Sequence, residues 1–205
     1  MLGYAFTRPW TIVLSAASLC ACAHATDHSS TSQGPATMAS TASDAATPSA
    51  LTADQLLLRL LDLIKDTTST RELTLERVSQ AMQAPAQSFG PGHFGYGGTL
   101  TPEWSYGLEI KTAGAADARL DLNFIDTTAE RKANASAICQ VDFDQFASGL
   151  QAAGFKRETI RGEHGRVIHD RFDRPNLSIK VDTMAENPTP SGEPAHACVR
   201  LVTVQ

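Results

Sequence analysis

The chain predicts an α+β fold: an antiparallel sheet of about five to six strands, three helices and one disulfide. Three observations carry this. Helical apolar spacing occurs in three separate stretches. Period-two alternation occurs in clustered stretches after the helices, the arrangement of strands gathered on one side of a helical layer. Only two cysteines, Cys139 and Cys198, lie beyond the first 22 residues.

The first helix opens at Thr52-Ala-Asp-Gln55, a capping box in which Thr52 accepts from the Gln55 amide and Gln55 reaches back. Leu57, Leu60, Leu61 and Ile64 follow at helical spacing, and Leu56, Leu58 and Leu63 widen the stripe. A second helix starts at Thr74 with Leu75, Val78 and Met82 on one face, and Pro85 limits it. Trp104, Tyr106, Leu108 and Ile110 then alternate with polar residues and glycine. Leu120, Leu122 and Phe124 do the same, and a hairpin loop over 112–117 joins the two strands. Asp142 caps a third helix, with Phe143, Phe146, Ala147 and Leu150 inward and Gly154 just past its end. The strands 155–161 and 166–172 form a hairpin around Gly162-Glu163-His164-Gly165. Strands over 176–183 and 195–204 complete the sheet. In the last strand Val199 and Leu201 should share a face, with Cys198 on the other, where it can reach Cys139 near the third helix.

The chain divides into three parts. Residues 1–25 read as a signal peptide: Arg8 is the positive region, and 10–19 is a mostly apolar run with only Thr11, Ser15 and Ser18 polar. That run is too short for a permanent span, which takes about 20 residues. Residues 26–50 contain 17 Ser, Thr or Ala and no Leu, Ile, Val or aromatic residue, the composition of a disordered tether. Residues 51–205 are long enough for one globular domain with a proper core.

Leu19-Cys20-Ala21-Cys22 resembles the lipobox of bacterial lipoproteins, with Cys20 a departure from the usual small residue. The resemblance implies lipidation at Cys22, a membrane attachment through that lipid, and, since Ala23 is not Asp, an outer-membrane address facing the periplasm. Ala23-His24-Ala25 is a rival cleavage site that releases a soluble periplasmic or secreted protein. Either address is oxidising, so Cys139 and Cys198 are expected to pair.

Composition narrows function. Without Arg8 the chain keeps 16 basic against 22 acidic side chains, a mild acidity that argues against nucleic-acid binding. The body contains no H-E-x-x-H, no G-x-S-x-G and no phosphate-binding glycine loop. His93, His164, His169 and His196 show no i, i+4 pairing, so no metal or cofactor is expected. Asp142 and Asp144 suit a helix N-terminus. Asp170 and Asp173, among Arg166, Arg171 and Arg174, suggest surface ion pairs.

Two segments stand out as partner-binding candidates. Gly90-Pro-Gly-His-Phe-Gly-Tyr-Gly-Gly98 interleaves His93, Phe94 and Tyr96 with glycines. Its rings are either anchors for a partner's pocket, or they close the core from a strand edge while the glycines turn. The tip Gly162–Gly165, flanked by Lys156, Arg157, Arg161 and Arg166, is either a projection that places Glu163 or His164 in an enzyme cleft, or a solvated turn with cross-strand salt bridges.

A lipobox, a Ser/Thr/Ala tether and one disulfide-bearing α+β domain without catalytic motifs resemble the small periplasmic lipoproteins that protect against toxic effectors or inhibit cell-wall hydrolases. The resemblance implies a non-catalytic inhibitor or immunity protein that occludes a protein partner. The alternatives are an envelope structural or assembly lipoprotein binding peptidoglycan or outer-membrane components, and an enzyme using residues such as His169 and Asp170. The lipid assignment has a direct check. Cys22→Ala should shift the protein from the membrane to the soluble fraction on phase partitioning, and an unchanged distribution would support release after Ala25.

Overall fold

The computed structural model describes residues 51–112, 118–186 and 196–205. The signal segment with Cys22, the tether and most of the 112–117 loop lie outside the described residues.

Helix α1 (Ala53–Lys65) carries both halves of the Thr52/Gln55 capping box. Its buried face holds Leu56, Leu57, Leu60, Leu61, Leu63 and Ile64; Leu58 instead points to solvent at 47% exposure. Helix α2 (Leu75–Met82) is capped by the Thr74 side chain and ends at Gln83 in the left-handed region, φ 54°. Arg59 of α1 donates to Met82 O at 2.6 Å, satisfying a carbonyl at the end of α2. Helix α3 (Phe143–Ala152) starts where Asp142 accepts from the Gln145 amide at 2.8 Å. It ends before Gly154, whose φ of +87° favours glycine. Gly149 lets α3 approach α1 closely, since a Cβ there would collide with the Leu61 side chain.

The sheet has eight strands: β1 (Gln87–Gly90), β2 (His93–Thr99), β3 (Trp104–Lys111), β4 (Arg119–Asp126), β5 (Lys156–Arg161), β6 (Val167–Arg174), β7 (Leu177–Ala185) and β8 (Ala197–Val204). Their order is β1-β2-β3-β4-β8-β7-β6-β5, and every neighbouring pair is antiparallel. The layout is one plan used twice. Helix, then four-stranded meander, occurs once ending at β4 and once ending at β8, and the two meanders join where Leu120–Asn123 pairs Val204–Leu201.

The count of eight corrects the expected five to six. The two strands missed are β2, which lies in the glycine-rich segment, and β1, the short strand that leads into it. Glycine has poor strand propensity and leaves no side chain to mark an alternation. A second correction concerns β8. A bulge between the Asp182–Leu201 and Thr183–Val199 pairs, at Arg200, shifts the phase of the strand. Val199 is buried while Leu201 faces the other side of the sheet.

One core lies between the helices and the covered face of the sheet. Phe94, Leu108, Ile110, Leu120, Leu122, Phe124, Phe172, Ile179, Val181, Val202 and Val204 meet the helical leucines and Phe146 there. Asp170 is also on this face, 3% exposed, with its carboxylate taking Arg157 Nε at 2.9 Å and Thr159 Oγ1 at 2.6 Å. It is therefore a buried pair, not the expected surface one. Asp173 does sit at the surface, against Arg171 Nε at 2.8 Å. Arg174 lies over the Phe155 ring and donates to the carbonyls of Ala153 (3.3 Å), Ile64 (3.1 Å) and Thr67. One guanidinium thus serves the C-terminal ends of α1 and α3, where cations are favoured.

Cys139 and Cys198 form the disulfide, 59 residues apart, with Cα atoms 4.8 Å from each other. Asp142 makes an isolated bridge with Cys198, so the start of α3 is tied to β8 by both kinds of bond. No described helix is long and apolar enough to cross a membrane. The chain-entropy relation gives about 4 kcal/mol for a loop of this length. Urea unfolding with and without reductant should show a loss of that order, and an unchanged midpoint would remove the staple's role.

Candidate functional sites

The face of the sheet away from the helices is open. Most of its side chains are charged and paired. Arg119 grips Asp121 through Nε and Nη2 at 2.7–2.9 Å, and Thr203 Oγ1 donates to the same carboxylate at 2.6 Å. Lys111 and His93 share Glu109, at 3.2 and 2.6 Å. The hydrogen bond from His93 chiefly, with the Lys111 charge, holds the Glu109 carboxyl below its ordinary range despite partial burial. Arg171 is placed between Glu158 and Asp173.

That ionic pattern thins along one row. Successive cross-strand partners are Gly97, Gly107, Asn123, Leu201 and Asp182. His169, opposite Ile160 and one residue before the Asp170–Val181 pair, continues the row on β6. The glycines leave a trough of about 470 Å³, walled by Phe89, Ile125 and Leu201 and by Glu109, Arg119, Asp121 and Asn123. A second hollow of about 420 Å³ beyond Ile125 is lined by Trp104, Arg131, Met184 and Arg200.

The row also holds most of the unsatisfied polar atoms. Among the described residues, four buried side-chain atoms lack a hydrogen-bond partner: Asn123 Oδ1, Asp182 Oδ2, His169 Nδ1 and Tyr96 Oη. The first three lie on this row. Asp182 Oδ2 is 3.2 Å from Lys180 Nζ, close enough to attract but without hydrogen-bond geometry. Buried polar groups are ordinarily paired, so three such atoms in one line set this row apart from the rest of the open face.

The sequence-derived candidates fall into two places. In the glycine segment, Phe94 is 7% exposed and belongs to the core, so it is not an anchor for a partner. The register aims it inward because Phe94 pairs Ile110. Tyr96 is partly buried on the same face, edge-on to Tyr106. Burial above all pushes its hydroxyl above the ordinary tyrosine range. His93 is on the open face, tied to Glu109 and edge-on to Phe89 at 5.2 Å. The exposed ring is Phe89, at 56%, one residue outside the segment singled out by sequence.

The second place is the β5–β6 hairpin tip. Glu163 and His164 are exposed there. His164 (φ 58°) and Gly165 (φ 74°) both take left-handed backbone, and the turn is closed by Gly162 N to Arg166 O (2.8 Å) and Arg161 Nη1 to Gly165 O (2.9 Å). Val167 and Ile168 are exposed by 42% and 49% beside them. Sequence reasoning passed over these two because alternation assigns one of any adjacent pair to the core. His169 and Asp170 point to opposite faces of β6, so they do not form an acid/base pair.

The two trough glycines differ. A Cβ on Gly97 would lie 2.6 Å from Tyr106 O, whereas one on Gly107 meets nothing within 4 Å. Gly97→Ala should therefore cost about 1–3 kcal/mol in chemical denaturation, and Gly107→Ala should be neutral or slightly stabilising. Equal effects would contradict the trough's geometry.

Compared with protein-family models, with curated proteins and with solved structures, the chain matches none.

Proposed function

We propose that the protein is a non-catalytic lipoprotein, held by a lipid on Cys22 and facing the periplasm, that binds and occludes a protein partner such as a toxic effector or a cell-wall hydrolase. The observation that supports this is the β5–β6 tip. Val167 and Ile168 expose β-branched apolar surface on a projecting hairpin, next to Glu163, His164, Arg161 and Arg166. Exposed apolar side chains rimmed by charge suit a partner's pocket. A hairpin closed by its own hydrogen bonds loses little entropy on docking. The membrane attachment keeps the tip near partners crossing the envelope.

The test is a pull-down with the oxidised full chain against envelope and secreted fractions, with Ile168→Glu and His164→Ala as companion baits. A stoichiometric secreted enzyme or toxin should be retained by the parent chain and lost with Ile168→Glu. Retention unchanged by both variants, or retention of cell wall alone, would overturn the proposal.

A further inference from the structure

The open-face trough asks for a different ligand from the tip. We infer that the row Gly97–Gly107–Asn123–Leu201–Asp182–His169 is a binding site for a neutral, hydroxyl-rich extended chain, an oligosaccharide strand lying across the sheet.

Four features select that chemistry. The strands beneath the row are interior to the sheet and paired on both sides, so the site cannot accept an added strand. Recognition must come from side chains. Asn123, the trough residue whose Oδ1 no protein donor satisfies, presents an acceptor, so a ligand settling against it must bring donors. The cation lining the trough, Arg119, is already held through two nitrogens by Asp121, which leaves little to attract a phosphate or carboxylate. Leu201 stands next to Asn123 on the row, with Ile125 two residues along β4 and the exposed Phe89 ring at the rim. Apolar surface alternating with hydrogen-bond acceptors matches a sugar ring, which has C–H faces and a hydroxyl perimeter.

Spacing supports an extended glycan. Adjacent strands are about 4.8 Å apart, so the six-strand row from Gly97 to His169 spans roughly 24 Å. Each step across the sheet is close to the rise of one pyranose in an extended chain. The absence of side chains at Gly97 and Gly107 makes the floor deep enough for a ring to settle beside Asn123.

The experiment is titration calorimetry of the full chain with a neutral β-linked hexasaccharide of N-acetylglucosamine. Gly107→Leu fills the trough from an open Cβ direction, and Asn123→Leu removes the acceptor. Neither disturbs the core, which melting curves verify. Saturable binding is expected, weakened about tenfold or more by each substitution and unchanged in Ile168→Glu. No binding at millimolar hexasaccharide, binding by both trough variants as tight as the parent's, or preferential binding of an extended uncharged peptide would overturn the assignment. Because Ile168→Glu tests only the hairpin tip, failure of one proposal is distinguishable from failure of the other.

Discussion

The pairing of β4 with β8 is the interaction on which the rest of the molecule depends. Each half of the domain builds a four-stranded meander from local hairpins, and each meander has an inner edge. Alone, those edges would present unpaired N–H and C=O groups, a standing invitation to aggregation. Joining Leu120–Asn123 to Val204–Leu201 removes both edges and makes one sheet from two. The join links residues about eighty positions apart, so it carries a large loop-closure cost and suits late formation. The disulfide and the Asp142–Cys198 bridge act at the far end of the same strand. They hold β8 against the start of α3 and reduce the freedom lost in that step.

The outer edges that remain are managed differently. β5 reads Lys-Arg-Glu-Thr-Ile-Arg, charged enough to discourage further pairing. β1 is four residues long and carries a register shift beside Gly90. Arg174 performs the corresponding task for the helices. Its planar fork reaches carbonyls near the ends of α1 and α3 while stacking on Phe155. A lysine at that position would keep the charge but lose the fork.

The two faces of the sheet divide the work. The covered face provides burial, and its buried carboxylate, Asp170, is compensated by Arg157 and Thr159. The open face carries paired charges, which thin out where Gly97, Gly107, Asn123 and Leu201 follow one another across the sheet. The hairpin tip and this row are separate surfaces with separate chemistry, one apolar and projecting, the other recessed and rich in acceptors.

Much of the architecture was legible in the residues. The Thr52/Gln55 box, the leucine stripe behind it, the Asp142 cap and the alternation of β3 and β4 depend on neighbours within one or two turns, and local physics decides them. The disulfide followed because only two cysteines remained to pair. The strands β1 and β2 were not legible: Phe94-Gly-Tyr96-Gly alternates with period two, but its outward positions carry no side chain to show it. Phe94 looked available because aromatics among glycines suggest display, and only the Phe94–Ile110 register turns it inward. The sequence by itself determined the helices and most strands, which are written in contiguous residues, and the staple, which the cysteine count supplied. The tertiary structure alone decided strand order, the phase shift at Arg200 and the row from Gly97 to His169, because these depend on which distant strands become neighbours, and cross-strand adjacency leaves no trace in any local pattern.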